Sequence, residues 1–248
     1  MFKKLFEYHK TLHPKIWDTD SEINPLVSQS LQMMSFEYVR YLGTVLGLPI
    51  ASGDICDIFI HGSLTNYYWD EHSDVDLCIV ADLTKLREIL PNLNHFLFFN
   101  ATQRAWKATF RPSIFGRNVD IFIIDPSEVN AKITNTVDTF YSLFTNKWIA
   151  APRRVPDIEL KELKKMTYRR YRVIMRQCKY ILKNKMSHEF IDAYLLALKN
   201  HRTNSVCNPN SRVMTSTQMA FKMVRNAGMI SKMRTASREQ LTNRFKLS

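Results

Sequence analysis

Three aspartates and one Gly-Ser pair are the residues of this chain whose types and spacing suit chemistry. Asp74 and Asp76 sit one residue apart in the run Asp74-Val75-Asp76-Leu77-Cys78-Ile79-Val80. The run reads as a strand, with Asp74 and Asp76 on one face and Val75 and Leu77 turned to the core. Two carboxylates side by side repel each other, and a hard divalent cation such as Mg²⁺ relieves that repulsion through oxygen ligands. Asp120 is the one acid in the apolar run Val119-Asp120-Ile121-Phe122-Ile123-Ile124. A carboxylate inside a buried strand needs a partner. If the two strands are neighbours, Asp74, Asp76 and Asp120 form a cluster able to hold two divalent cations for in-line displacement at a phosphate. Upstream, Gly62 lets a backbone approach phosphate closely, and Ser63 has a hydroxyl to donate to a phosphate oxygen.

These side chains need strands to carry them. Ile55–Ile60 is apolar and ends at Gly62, so it predicts a buried strand that stops at a turn. Before it, Asn24-Pro25 predicts a helix start, with Asn24 as N-cap and Pro25 in the first position. Val27, Leu31, Met34, Tyr38, Tyr41 and Leu42 keep helical spacing to about Leu46. Thr84 is expected to cap a helix from about Lys85, interrupted near Pro91. Trp106–Arg111 and Arg117–Ile124 read as a hairpin, and Asp125–Glu128 as the start of a helical stretch towards Trp148. Residues 1–23 carry no clear pattern beyond a short helix near Phe2–His9. The fold class expected is α+β, a mixed sheet flanked by helices.

Gly62-Ser63, a ten-residue spacer, Asp74-Val75-Asp76 and the later apolar strand around Asp120 together resemble the DNA polymerase β-like nucleotidyltransferase superfamily. The resemblance covers roughly residues 30–125. Gly62-Ser63-Leu64-Thr65-Asn66-Tyr67, with Trp69 and Ser73–Leu77 after it, is also similar to predicted nucleotidyltransferases of tailed phages. The resemblance implies that Asp74 and Asp76 hold the nucleotide-bound metal and share a second. It implies that Asp120 holds that second metal and activates the attacking hydroxyl. The expected cofactors are two Mg²⁺ ions, with Mn²⁺ as an alternative, and the expected donor substrate is an NTP such as ATP. Leu64–Tyr67 departs from the basic or glycine-containing segment many members carry after Gly-Ser. Trp69 either stacks on a base or anchors its own loop, and Arg104, Lys107, Arg111 and Arg117 flank the third aspartate without matching a motif.

The 248 residues and 45% hydrophobic content suit a packed core. Cys56, Cys78, Cys178 and Cys207 are far apart and form no Cys-x-x-Cys pair, which argues against zinc and a disulfide framework. Cys56 and Cys78 are expected to be buried. No window reaches transmembrane length, and the charged N-terminus is unlike a secretory signal. A cytoplasmic location is expected, the host cytoplasm if the gene is a phage's.

Net charge is +12, and its distribution is uneven. Residues 1–152 hold 13 Lys/Arg and 17 Asp/Glu, whereas residues 153–248 hold 22 and 6. Ala150–Pro156 reads as a linker between a catalytic domain, 1–150, and a small all-helical basic module, 157–248. Asp157 is expected to cap a long helix with Leu160, Leu163, Thr167, Ile174, Cys178 and Ile181 near one face. Lys165, Arg169, Arg172, Arg176, Lys179 and Lys183 line another, with no acid expected among them. Such a stripe fits an anionic partner better than mere solvation. Further helices are expected from His188 to about Lys199, over Met214–Arg225 and over Met229–Phe245.

The expected activity is transfer of an NMP from an NTP to a hydroxyl, with pyrophosphate released. RNA, tRNA-like or another 3′ end, is the favoured acceptor because of the basic module. The motifs of CCA-adding enzymes are not evident. The alternatives are nucleotidylation of a protein or small molecule, and an inactive nucleic-acid-binding or virion-associated protein of the same fold.

Overall fold

A computed structural model describes residues 8–134, 139–205 and 214–244. The chain divides into two compact units, one of Tyr8–Arg153 and one that contains Arg154–Ser248. The expected helix near Phe2–His9 and Cys207 lie largely or wholly outside the described residues.

The first unit is built on a six-stranded mixed sheet. Its strands are β1 (Ile55–His61), β2 (Val75–Ala81), β3 (Ser113–Ile114), β4 (Arg117–Ile124), β5 (Phe140–Ser142) and β6 (Lys147–Ala150), ordered β3-β4-β2-β1-β5-β6. Strands β2 and β4 run parallel, and every other pairing is antiparallel. Helix α1 (Pro25–Arg40) continues as one π-helical segment to Val45. Its start is as expected: the Asn24 side chain accepts from the Leu26 and Val27 amides, which otherwise lack partners in a first turn. After β2 come α2 (Thr84–Ile89) and α3 (His95–Phe110), separated around Pro91, and after β4 comes α4 (Val129–Thr134).

Strand alternation sorts the core into two layers. Ile58, Ile60, Val75, Leu77, Ile79, Val119, Ile121 and Ile123 face a large cluster with Leu31 and Tyr38 of α1 and Phe99 and Trp106 of α3. Phe59, Cys78, Val80 and Ile124 face a smaller one with Phe140 and, from α4, Val129 and Ile133. The sheet is therefore apolar on both faces. Asp76 and Asp120 share the second face with that smaller cluster.

Several expectations are corrected. Trp106–Phe110 is the end of α3 and not a strand; Arg117–Ile124 pairs instead with the two residues of β3. Asn94 caps α3 through the Leu97 amide, and Phe99, Thr102 and Trp106 bury at helical spacing. The stretch towards Trp148 holds only the short α4 and then β5 and β6. Asp74 stands just before β2 rather than within it. Cys56 is exposed because the β1–β2 register slips between Ile55 and Asp57, while Cys78 is fully buried. Leu83, not Thr84, occupies the cap position of α2, and Pro156, not Asp157, that of the long helix that follows.

In the second unit the described elements are α5 (Asp157–Lys183), α6 (His188–Asn204), α7 (Ser216–Asn226) and α8 (Met229–Arg244). Tyr171, Ile174, Cys178 and Ile181 of α5 pack with Ile191, Met223, Val224, Ile230 and Met233. Leu163 is only half-buried, and Tyr171 takes a place on the buried stripe. Arg170 donates to Thr217 at 2.7 Å, and Ser237 to Asp192 at 2.7 Å. Among the described residues, no helix is long and apolar enough to cross a membrane.

Candidate active site

The parallel pairing of β2 with β4 sets Val75 opposite Val119, Asp76 opposite Asp120 and Leu77 opposite Ile121. Both aspartates therefore leave the same face of adjacent strands, one strand spacing apart. Asp74, just before β2, is held by Asn118, whose amide donates to its Oδ1 at 3.4 Å. His61 lies opposite Asp76 on the other side, buried, its ring stacked on Phe140 and edge-on to Phe122. Asp74, Asp76 and Asp120 thus lie at one end of the sheet, and Phe59, Cys78 and Phe122 of the smaller cluster follow them along the strands.

Gly62 is required where it stands. Its φ is +83°, a conformation that L side chains rarely adopt. A Cβ built there would run into Oδ2 of Asp76. The carboxylate of Asp76 consequently lies over the Gly62 backbone, at the start of the turn Gly62–Thr65. Ser63 is half-buried in that turn. Thr65 and Asn66 both donate to the Gly62 carbonyl at 2.9 Å, and Thr65 shares a buried 2.6 Å hydrogen bond with Thr139. The Gly-Ser turn is thus tied by hydrogen bonds from Thr65, Asn66 and Thr139.

The loop between Ser63 and Asp74 is held by residues whose part was not legible in the sequence. Trp17 donates its indole N–H to the Leu64 carbonyl at 2.8 Å. Tyr67 donates to Asp20 at 3.0 Å. Trp69 stacks on His9 with ring centroids 3.4 Å apart and donates to the Thr11 carbonyl, so it anchors the loop. Arg117 donates to the carbonyls of Asp70 and Ser73 at 2.9 and 2.7 Å and contacts His13 Nε2 at 3.0 Å. Burial, helped by the charges of Arg117 and Lys15, pushes His13 down to about 4, so the ring is neutral and accepts from the guanidinium. Residues 8–23, patternless in sequence, form this loop's clamp.

Lys107 pairs with Asp120. It reaches from α3, which packs along β4. Among the four basic residues flanking the third aspartate, Lys107 and Arg117 thus have assigned places, one on a carboxylate and one on a loop. Among the described residues, no group of three or more His, Cys, Asp or Glu side chains converges as ready metal ligands. The donor chemistry nevertheless fits a hard divalent cation: Asp74 and Asp76 supply oxygens at one sheet end, with Asp76 set against Gly62. A cavity of about 590 Å³ lined by Asp18, Glu22, Gln29, Gln32, Tyr141 and Asn146 contains none of these residues.

In the second unit, Lys165, Arg169, Arg172, Arg176, Lys179 and Lys183 are all exposed on α5. The stripe is not free of acids, because Glu162 lies 3.9 Å from Lys165. It is also interleaved with exposed Met166, Val173 and Tyr180.

Comparison of the chain with protein-family models, with curated proteins and with solved structures finds no match.

Proposed function

We propose that this chain is a metal-dependent nucleotidyltransferase of the DNA polymerase β-like kind, moving an NMP from an NTP to a hydroxyl of RNA. The observation that carries the reading is the Asp76–Asp120 register, with the Gly62 turn closed over Asp76. A sheet end with carboxylates on adjacent strands beside a glycine turn suits in-line transfer at a phosphate. Gly62 leaves its backbone open to close approach, and the Ser63 hydroxyl donates to a triphosphate oxygen. Asp74 and Asp76 hold the nucleotide's divalent cation. When bound, such a cation neutralises the charge that develops on the phosphoryl oxygens. Asp120 faces the same space and orients the acceptor hydroxyl. Arg117 and Trp69 keep the intervening loop in place.

RNA as acceptor rests on α5. Six exposed cations over several turns suit a phosphate backbone, and Tyr180 among Arg176, Lys179 and Lys183 offers a face for base stacking. The Lys107–Asp120 pair favours a second reading, a chain of this fold that binds nucleic acid without turnover. Incubation of the purified protein with α-labelled NTPs, Mg²⁺ and cell lysate separates the two. Label in RNA supports the proposal, label in protein or a small molecule moves the acceptor, and no label anywhere favours the inactive reading.

A further inference from the structure

We infer that the Lys107 ammonium takes the place of one of the two cations, so that the site binds a single divalent ion beside Asp74 and Asp76. The inference rests on the reading of this sheet end as a nucleotidyl-transfer site and deepens it. Two observations carry it. First, Lys107 is paired with Asp120, the carboxylate that a second ion would need. The side chains of Lys107 and Asp120 are 32% and 34% exposed, so the pair is partly withdrawn from solvent and its charges are incompletely screened. Secondly, Lys107 is positioned by the fold. It follows Trp106, which is buried in the main core, on a helix packed along β4. Its neighbours on that helix therefore fix where its stem begins.

Charge repulsion makes the two arrangements mutually exclusive. A divalent ion on Asp120 and an ammonium on the same carboxylate would lie within a few ångströms of each other, where like charges are strongly unfavourable in a partly dehydrated site. Lysine suits the role because its ammonium is a compact point charge with three donors on a flexible stem. It can hold Asp120 and still turn a donor towards an incoming phosphate oxygen. The bond-making step is unchanged in its balance: the acceptor oxygen bonds to the α-phosphorus, the bond to the leaving pyrophosphate breaks, and the acceptor proton passes to solvent.

The test is a stoichiometry. The full-length protein is dialysed to equilibrium against Mn²⁺ and an NTP analogue with a non-cleavable α,β-methylene bridge, and bound Mn²⁺ is counted per bound analogue. The inference expects one Mn²⁺ per analogue in the wild type and in Lys107→Arg, and two in Lys107→Met. Circular dichroism and a melting curve establish that each variant is folded, and the wild-type ratio decides even if Lys107→Met does not fold. Two Mn²⁺ per analogue in the wild type overturns the inference while leaving the transferase reading intact. One per analogue in folded Lys107→Met overturns it as well, because Lys107 would then exclude nothing. Failure to bind either Mn²⁺ or analogue overturns the transferase reading itself, and the inference with it.

Discussion

Gly62→Ala is the sharpest probe of the site's geometry, because two separate costs can be read from the structure. The backbone there has φ +83°, and an L residue in the left-handed region costs roughly 1–2 kcal/mol. The new methyl would also occupy the space of Asp76 Oδ2, so the carboxylate must swing away or the turn must shift. An off-rotamer displacement of this kind adds about 1 kcal/mol, which brings the total to about 2–3 kcal/mol. Only the second cost depends on Asp76. Asp76→Ala removes the carboxylate, so Gly62→Ala made in that background should cost the backbone term alone. Urea unfolding of the wild type, both single variants and the double variant gives the coupling energy directly. The account expects coupling on the order of 1 kcal/mol or more, with the double variant more stable than the sum of the singles. Additive effects, or a Gly62→Ala variant as stable as the wild type, would refute the claim that the turn is shaped around the Asp76 carboxylate.

Ser63→Ala should weaken NTP binding by about 1–2 kcal/mol, the worth of one charge-assisted hydrogen bond, as read by a nucleotide titration; unchanged affinity moves that contact elsewhere. Replacing Arg169, Arg172 and Arg176 by Gln should weaken RNA binding and reduce the salt slope by roughly 0.7 per lost phosphate contact on a single strand. An unaltered affinity and slope would remove α5 from the acceptor site. His13 lies below its ordinary value near 6.5, at about 4, so the unfolded chain binds the extra proton between these pH values. Stability should therefore be fully present above 6.5 and fall as pH drops towards 4, more steeply than in His13→Gln, by on the order of 1–2 kcal/mol. Parallel stability–pH curves would show that His13 does not stay neutral against Arg117.

Much of the first unit was legible in the sequence because its signals are local. Asn24-Pro25 marks the start of α1, and continuous apolar runs mark β1, β2 and β4. Neighbouring strands of that kind made the Asp76–Asp120 register an available expectation, and the parallel pairing supplies it. The misread elements depend on distant partners. Phe140–Ser142 and Lys147–Ala150 are only three and four residues long, and Phe140–Ser142 becomes a strand by pairing with Phe59–His61, some eighty residues earlier. Trp106–Phe110 is rich in aromatic and β-branched residues, yet its place is settled by burying Phe99, Thr102 and Trp106 on one helical face. Arg104, Lys107, Arg111 and Arg117 look equivalent in sequence. Only the tertiary fold separates Lys107, on Asp120, from Arg117, on the carbonyls of the loop.

The most direct test of the central claim follows two labels through one reaction. The protein is incubated with RNA, Mg²⁺ and an NTP labelled at either the α- or the γ-phosphorus, beside Asp76→Asn. The account predicts that the α-label enters RNA while the γ-label leaves as pyrophosphate, and that folded Asp76→Asn does neither. Release of γ-label as orthophosphate without α-label in RNA, or near-wild-type transfer by Asp76→Asn, would contradict it.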